Sequence, residues 1–260
     1  MEESLKIAVI QSELVWENPT ENRKLFDQII SKIKKQVDVI VLPEMFSTGF
    51  SMHAKGLAEA AEGESLAYMQ KWASEKNACV TGSLMVKEDF NYYNRLYFVF
   101  PNGSFYTYNK RHLFTLAREQ QTYTAGKNKL IVTYKGWKIC PLICYDLRFP
   151  VFARNVEDYD VLLFVANWPE KRTEAWDALL KARAIENMAY CVGVNRVGQD
   201  GKGFEYAGHS AIYNPLGKQL SNPFNHHKSF TEVIELEASY LKQIRNRLGF
   251  LRDRDQFTLD

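Results

Sequence analysis

A thiol, a carboxylate and an ammonium occupy three places in this chain where apolar strand sequence gives way to polar residues. Cys144 lies in Leu142-Ile143-Cys144-Tyr145-Asp146-Leu147-Arg148-Phe149-Pro150, where an apolar strand turns toward a helix. A cysteine so placed sits as a nucleophile elbow would set it, with backbone N–H groups nearby to hold an oxyanion. Glu44 lies in Leu42-Pro43-Glu44-Met45-Phe46, where a buried strand stops at a proline and delivers a carboxylate to its carboxyl end. In open α/β sheets that edge is where ligands bind. Lys110 follows a hairpin, in Tyr108-Asn109-Lys110-Arg111-His112-Leu113-Phe114. Taken singly, each has an ordinary explanation: glutamates and paired basic residues are mostly solvated, and a free cysteine is commonly a small buried hydrophobe. That last explanation suits Cys79, Cys140 and Cys191, which lie inside or at the start of apolar strands, better than it suits Cys144.

The elements that must position these side chains can be read from periodicity. Residues 5–11 (LKIAVIQ) form a β-rich run, after which Asn18-Pro19-Thr20-Glu21 reads as N-cap, N1 proline and capping-box acid. Leu25, Phe26, Ile29, Ile30 and Ile33 then share one face of the predicted helix. Residues 37–42 (VDVIVL) are apolar at nearly every position, which predicts a strand buried on both faces. A helix over 65–76, a strand over 78–85 and a hairpin of 95–100 with 104–108 around Pro101-Asn102-Gly103 follow. Strand 137–143 ends just before Cys144, a short helix starts near Pro150, and 162–166 is another buried strand. The helix predicted over 174–190 places Trp176, Leu179, Leu180, Arg183, Ala184 and Asn187 on one face. Later strands are expected at 191–197, 210–213 and 230–236, and a tail from about 239 holds only a short basic helix. With no repeat or linker, the pattern predicts one α/β domain over 1–260. Two mixed sheets, face to face and covered by helices, would make it a four-layer αββα sandwich.

Composition narrows the classes of function. Lys+Arg 33 against Asp+Glu 31, spread without a polybasic block, gives no electrostatic support for nucleic acid or an anionic membrane as partner. A small molecule is the expected ligand. The first residues, MEESLK, are not a signal peptide, and no apolar stretch approaches about 18 residues, so the expectation is a soluble cytoplasmic protein. The four cysteines form no CxxC pair and show no zinc-type spacing with histidine, and neither a metal nor a cofactor is expected. Cys140 and Cys144 would lie about 13 Å apart along a strand, beyond the reach of a disulfide, so free thiols are expected.

Together, LPEMF, YNKRHLF and ICYDLRFP resemble the three signature segments of the nitrilase superfamily of carbon–nitrogen hydrolases, in the same chain order, and the resemblance runs to about Leu236. It implies a catalytic triad of Glu44, Lys110 and Cys144 within the αββα fold, and a homodimer. It further implies that Glu119 lies beside the lysine and helps to orient substrate. Within the superfamily, PEMFSTGF, CYDLRFP, ANWP and ARAIENMAYCVGVNRVG resemble the ω-amidase branch, which hydrolyses the terminal amide of 2-oxoglutaramate or 2-oxosuccinamate.

The chemistry implied is amide hydrolysis through a thioester. Glu44 would take the proton of Cys144 and pass it to the leaving nitrogen. Lys110 and the backbone N–H of Tyr145 would hold the oxyanion, and the lysine charge is expected to favour the thiolate. Trp168, at a strand end, is expected to line the pocket wall or to pack. A remote substrate carboxylate could be met by Arg118, Arg148, Lys171 or Arg172, among which the sequence does not choose. The competing readings are a nitrilase proper or an N-carbamoyl amidase with the same triad, a catalytically idle scaffold, and a thiol redox enzyme. The last lacks a paired CxxC.

Overall fold

Alternation of side chains along each strand divides the apolar runs between two cores. In the computed structural model, which describes residues 1–224 and 226–259, the chain opens with β1 (Ser4–Gln11), α1 (Pro19–Ser31), β2 (Val39–Val41), α2 (Ala54–Leu57), β3 (Glu59–Ala60) and α3 (Glu64–Lys76). A meander follows, made of β4 (Cys79–Glu88), β5 (Asn91–Val99) and β6 (Phe105–Asn109). The second half continues through β7 (Val132–Tyr134), β8 (Trp137–Ile143), α4 (Pro150–Ala153), β9 (Val161–Ala166), α5 (Thr173–Asn187) and β10 (Tyr190–Asn195). It ends with β11 (Val197–Gln199), β12 (Glu205–Ala207), β13 (Ala211–Tyr213), β14 (Phe230–Glu237) and α6 (Ala238–Leu248).

One seven-stranded sheet has the order β14-β1-β2-β4-β5-β6, with β3 attached to β4, and a five-stranded sheet has the order β13-β10-β9-β8-β7. Their centres are parallel, β1-β2-β4 in one and β8-β9-β10 in the other, with antiparallel strands on the flanks. Leu5, Ile7, Val9, Val39 and Val41 turn toward the second sheet and join one core with Ile139, Leu162 and Val192. Their neighbours Ala8, Ile10, Ile40 and Leu42 turn the other way, onto Phe26 and Ile30 of α1 and Leu66, Met69 and Trp72 of α3. That period of two is why residues 39–42 read as an unbroken apolar run. β1 lies against β10 and β5 against β8, while α5 covers the outer face of the second sheet through Trp176, Leu180 and Ala184. The result is the αββα sandwich. Truncating one of these core side chains to alanine would cost about 2–5 kcal/mol.

The local signals act as read. The Asn18 side chain accepts the Glu21 N–H at 3.1 Å, and Gly103 takes φ +83° in the turn between β5 and β6. Three details differ. Only Val39–Val41 of the run 37–42 pairs on both sides. β4 continues to Glu88, and a tight turn with Asp89 at φ 51° leads directly into β5. Residues 197–207 form a separate hairpin of β11 and β12, too short and polar to show a period. The basic helix of the tail is α6, whose Leu241 and Ile244 are buried and whose Arg245 pairs with Asp160 at 2.8 Å. All four cysteines are free, and burial pushes the Cys79, Cys140 and Cys191 thiols well above their ordinary range. Among the described residues no helix is long and apolar enough to cross a membrane.

Candidate active site

Parallel strands deliver their following residues to the same edge of a sheet, and here two sheets do so toward a common point. β2 leads to Pro43 and Glu44, β8 to Cys144 and β9 to Asn167. Both Met45, after the glutamate, and Cys144 itself adopt positive φ, 43° and 44°. Such values are uncommon outside glycine and cost about 1–3 kcal/mol where a side chain must be turned against its backbone preference. The Met45 turn is fixed by its N–H donating to Ser83 Oγ at 2.9 Å. The Cys144 turn opens a short 3₁₀ segment, Cys144–Arg148, in which Asp146 accepts the Ile143 N–H at 3.0 Å. The strained strand-to-helix elbow expected at Cys144 is therefore present.

Lys110 immediately follows β6, and its ammonium sits between two carboxylates. Its Nζ is 2.9 Å from Glu44 Oε1 and 3.1 and 3.0 Å from the two oxygens of Glu119. None of the three is solvated: the lysine side chain is 1% exposed and both glutamates 0%. Asn94, in the middle of β5, donates to Glu44 Oε1 at 2.8 Å. The Asn167 N–H donates to Glu44 Oε2 at 2.8 Å, and the Asn167 side chain donates to the Glu44 backbone carbonyl. Glu119, in a 3₁₀ turn, also accepts the Phe114 N–H. The Cys144 sulfur lies 3.9 Å from the Asn167 carbonyl, and the residue as a whole is 9% exposed.

Burial works against the lysine charge, but Glu119, Glu44 and the neighbouring thiol outweigh it and hold the ammonium above the ordinary lysine range. Glu119 is pushed up by burial and by the Glu44 charge, against the pull of Lys110. The cysteine is subject to opposed influences. Lys110 does favour its thiolate, but burial and the adjacent Glu44 charge prevail, and the thiol is raised well above its ordinary value. The resting site thus holds a neutral thiol next to an acceptor carboxylate.

A cavity of about 290 Å³ opens over this cluster, lined at depth by Glu44, Lys110, Cys144 and Asn167. Its walls include Phe50, Phe114, Tyr145, Trp168 and Tyr206. Phe50 also faces the lysine, with Nζ 5.0 Å from its ring centre. Trp168 does both things expected of it: it lines the cavity, and it is locked by its N–H to Asn195, by its indole N–H to the Arg172 carbonyl and by contact with Trp176. Of the four candidate cations, Arg148 and Arg172 line the cavity, and Arg118 and Lys171 do not. The Arg148 guanidinium lies 4.8 Å from the Trp168 ring centre and that of Arg172 5.3 Å from Phe114. Neither forms an ion pair among the described residues.

Sequence reasoning missed Asn94, Asn167 and the β11–β12 hairpin, which brings Asp200, Lys202 and Phe204 to the mouth. Asn167 carried a usable signal, because it follows strand 162–166 as Cys144 follows 137–143. Asn94 carried none: it precedes the predicted strand 95–100 and joins β5 only in the structure.

The fold, the order of the three segments and their convergence describe one class of protein, and the comparisons agree. Residues 6–246 match the profile of the Carbon-nitrogen hydrolase family, and the chain belongs to that family. It is 43% identical to Omega-amidase YafV of Escherichia coli (strain K12), over 98% of both chains. It is 33% identical to 2-oxoglutaramate amidase of Bacillus subtilis, over 90% of this chain and 92% of that one. A crystal structure of XC1258 from Xanthomonas campestris, a CN-hydrolase superfamily protein with an arsenic adduct in its active site, superposes with a TM-score of 0.96. That protein is 39% identical to this one over 99% of both chains.

Proposed function

We propose that the protein is an ω-amidase: it hydrolyses the terminal carboxamide of a small 2-oxo acid such as 2-oxoglutaramate or 2-oxosuccinamate to the carboxylate and ammonia. The observation that carries this reading is the Glu44–Lys110–Glu119 cluster beside a thiol at a strained elbow, at the bottom of one cavity. The likeness to the E. coli and B. subtilis amidases supports the substrate class.

A carboxamide is a weak electrophile with a poor leaving group, so the site needs a nucleophile, a proton carrier and a fixed positive charge. Two of the roughly four acceptor positions of Glu44, both on Oε1, are taken by Lys110 and Asn94, and the Asn167 N–H takes a third, on Oε2. The position left on Oε2 is the one that receives the Cys144 proton. Because the resting thiol is neutral, this transfer accompanies attack: the sulfur–carbon bond forms as the proton moves to Glu44. One Lys110 N–H donates to Glu44 and one is shared between the two Glu119 oxygens, which leaves the third, with the Tyr145 N–H, for the oxyanion. Each such donor contributes about 3 kcal/mol in the transition state. Glu44 then protonates the nitrogen, the carbon–nitrogen bond breaks and ammonia leaves a thioester on Cys144. Water, deprotonated by Glu44, attacks the thioester; the acid departs and the thiol recovers its proton. Glu119 keeps the ammonium in register, while Trp168 walls the cavity and Arg148 and Arg172 meet the substrate carboxylate.

The same reading takes the chain as one domain with its tail from about 239 packed back, in a cytoplasmic homodimer without nucleic acid or membrane partners. Exposed Val151, Ile185 and Leu216 supply apolar surface for the dimer. Ammonia release from 2-oxoglutaramate, glutamine, N-carbamoyl amino acids and simple nitriles, with Cys144→Ala as control, tests the proposal. Turnover confined to 2-oxo acid amides and lost in the variant supports it, whereas activity only on nitriles or N-carbamoyl compounds rejects it.

A further inference from the structure

We propose that Asp146, acting with His112, is a positioning residue that latches the segment carrying Lys110 onto the turn carrying Cys144. The two halves of the site belong to different sheets. Lys110, Glu44 and Asn94 come from the seven-stranded sheet or the loops leaving it, and Cys144 and Asn167 follow strands of the five-stranded sheet. The sheets meet through apolar packing, which is non-directional and by itself specifies no alignment of polar groups. The reaction does require one, since a misplacement of 1 Å can cost about a hundredfold in rate. Directional bonds must therefore cross between the halves near the site. One crossing is Asn167 to Glu44, already described.

A second is Asp146. Its carboxylate is fully buried and accepts four hydrogen bonds, the full capacity of its two oxygens. Oδ1 accepts the His112 backbone N–H at 3.0 Å and pairs with His112 Nδ1 at 2.8 Å. Oδ2 accepts the Tyr108 hydroxyl at 2.7 Å and the Ile143 N–H at 3.0 Å. Tyr108 and His112 stand two residues before and two after Lys110, and Ile143 immediately precedes Cys144. One carboxylate thus grips the lysine segment on both sides and the nucleophile strand at its last residue. Because an ionised carboxylate only accepts, the His112 proton on this side is on Nδ1. The imidazole is clamped from below as well, stacked on Phe149 with ring centres 3.6 Å apart and planes 7° from parallel. Tyr108 completes the grip by accepting the Arg111 N–H at 3.1 Å. Neither Asp146 nor His112 lines the cavity, so both act through Lys110 and Cys144 and not on the substrate.

The inference rests on the amidase reading for its kinetic test. His112→Ala removes the imidazole donor, while His112→Asn returns an amide N–H near the position of Nδ1. Wild type, both variants and Asp146→Asn are compared for kcat and KM of ammonia release and for the rate of iodoacetamide labelling at Cys144, normalised to folded protein. For His112→Ala the expectation is a kcat lower by about tenfold or more with KM within about threefold, and for Asp146→Asn a loss approaching a hundredfold. Labelling of Cys144 slows in the same order, because the lysine that assists thiolate formation no longer faces it squarely. His112→Asn recovers most of both quantities. An unchanged kcat and labelling rate in folded His112→Ala, a loss confined to KM, or equal impairment of the alanine and asparagine variants overturns the latch. A wild type inert toward every amide overturns the amidase reading instead, and the labelling order still tests the latch. Should Asp146→Asn fail to fold, the histidine pair decides.

Discussion

Replacing Lys110 with methionine keeps most of the side-chain length but removes the cation that Glu44 and Glu119 share at 2.9 and 3.0 Å. Two fully buried carboxylates would then face each other without a counter-charge. Removing one partner of a buried ion pair costs about 3–5 kcal/mol, and for a chain of this size that corresponds to a melting point lower by roughly 6–20 °C. The cluster has one means of relief, proton uptake. Glu119 is already pushed up by burial and by Glu44, and loss of Lys110 removes the main influence holding it down. For a group whose folded pKa is raised, the linked stability is fully present below the unfolded value, about 4.3 for glutamate, and is lost as pH rises through the folded pKa. The deficit of the variant therefore shrinks as the solution is acidified, by about 1.4 kcal/mol per pH unit while one extra proton is bound by the folded state. Over the pH range in which the folded state alone binds that proton, the gap to wild type should narrow by roughly 3–6 °C per pH unit of acidification. Melting curves of both proteins at several pH values measure it. A gap that does not change with pH, or one under about 1 kcal/mol, would refute the account of a buried and electrostatically coupled cluster.

Glu44→Gln keeps the shape of the side chain but turns an amide NH2 toward donors that the carboxylate accepted, and it cannot accept the thiol proton, so kcat should fall by about 10²–10⁴; steady-state ammonia release checks it, and a loss under tenfold would speak against the base. Lys110→Arg should be nearly as inactive as Lys110→Met, because a planar fork cannot place one compact charge between Glu44, Glu119 and an oxyanion; near-normal kcat in the arginine variant is the contrary result. The raised Cys144 thiol predicts that iodoacetamide labelling of the folded protein keeps accelerating above about pH 8.5, the ordinary thiol value. A plateau below pH 8 would mean that the resting sulfur is already ionised.

The sandwich was legible in the sequence because its central strands are covered on both faces. Runs such as 39–42 and 162–166 must be apolar throughout to survive there, and that demand is visible without a partner. The capping of α1 by Asn18 was legible for a similar reason, since donor and acceptor lie three residues apart. Glu44 and Cys144 could be suspected as the first polar groups beyond such strands. Lys110 could not be separated from a solvated base by local chemistry; its burial depends on Glu44, 66 residues away, and on a 3₁₀ turn with no periodic signature. The Asn167–Glu44 contact spans 123 residues, so the place of Asn167 at a strand end could mark it as a candidate without naming its partner. The net state of the Cys144 thiol was not legible, because a neighbouring lysine can be inferred from motifs, whereas the extent of burial, which dominates, belongs to the folded state. The β11–β12 hairpin escaped because its strands have three residues each and its turn is glycine-rich.

The central claim is a covalent thioester at Cys144, and the most direct measurement is intact-protein and peptide mass spectrometry on enzyme quenched in acid during turnover of 2-oxoglutaramate. The account predicts a mass increase equal to the substrate minus ammonia, confined to the peptide containing Cys144, discharged by hydroxylamine and missing from Cys144→Ala. Full turnover with no adduct, or an acyl group on Cys79, Cys140 or Cys191, would contradict it.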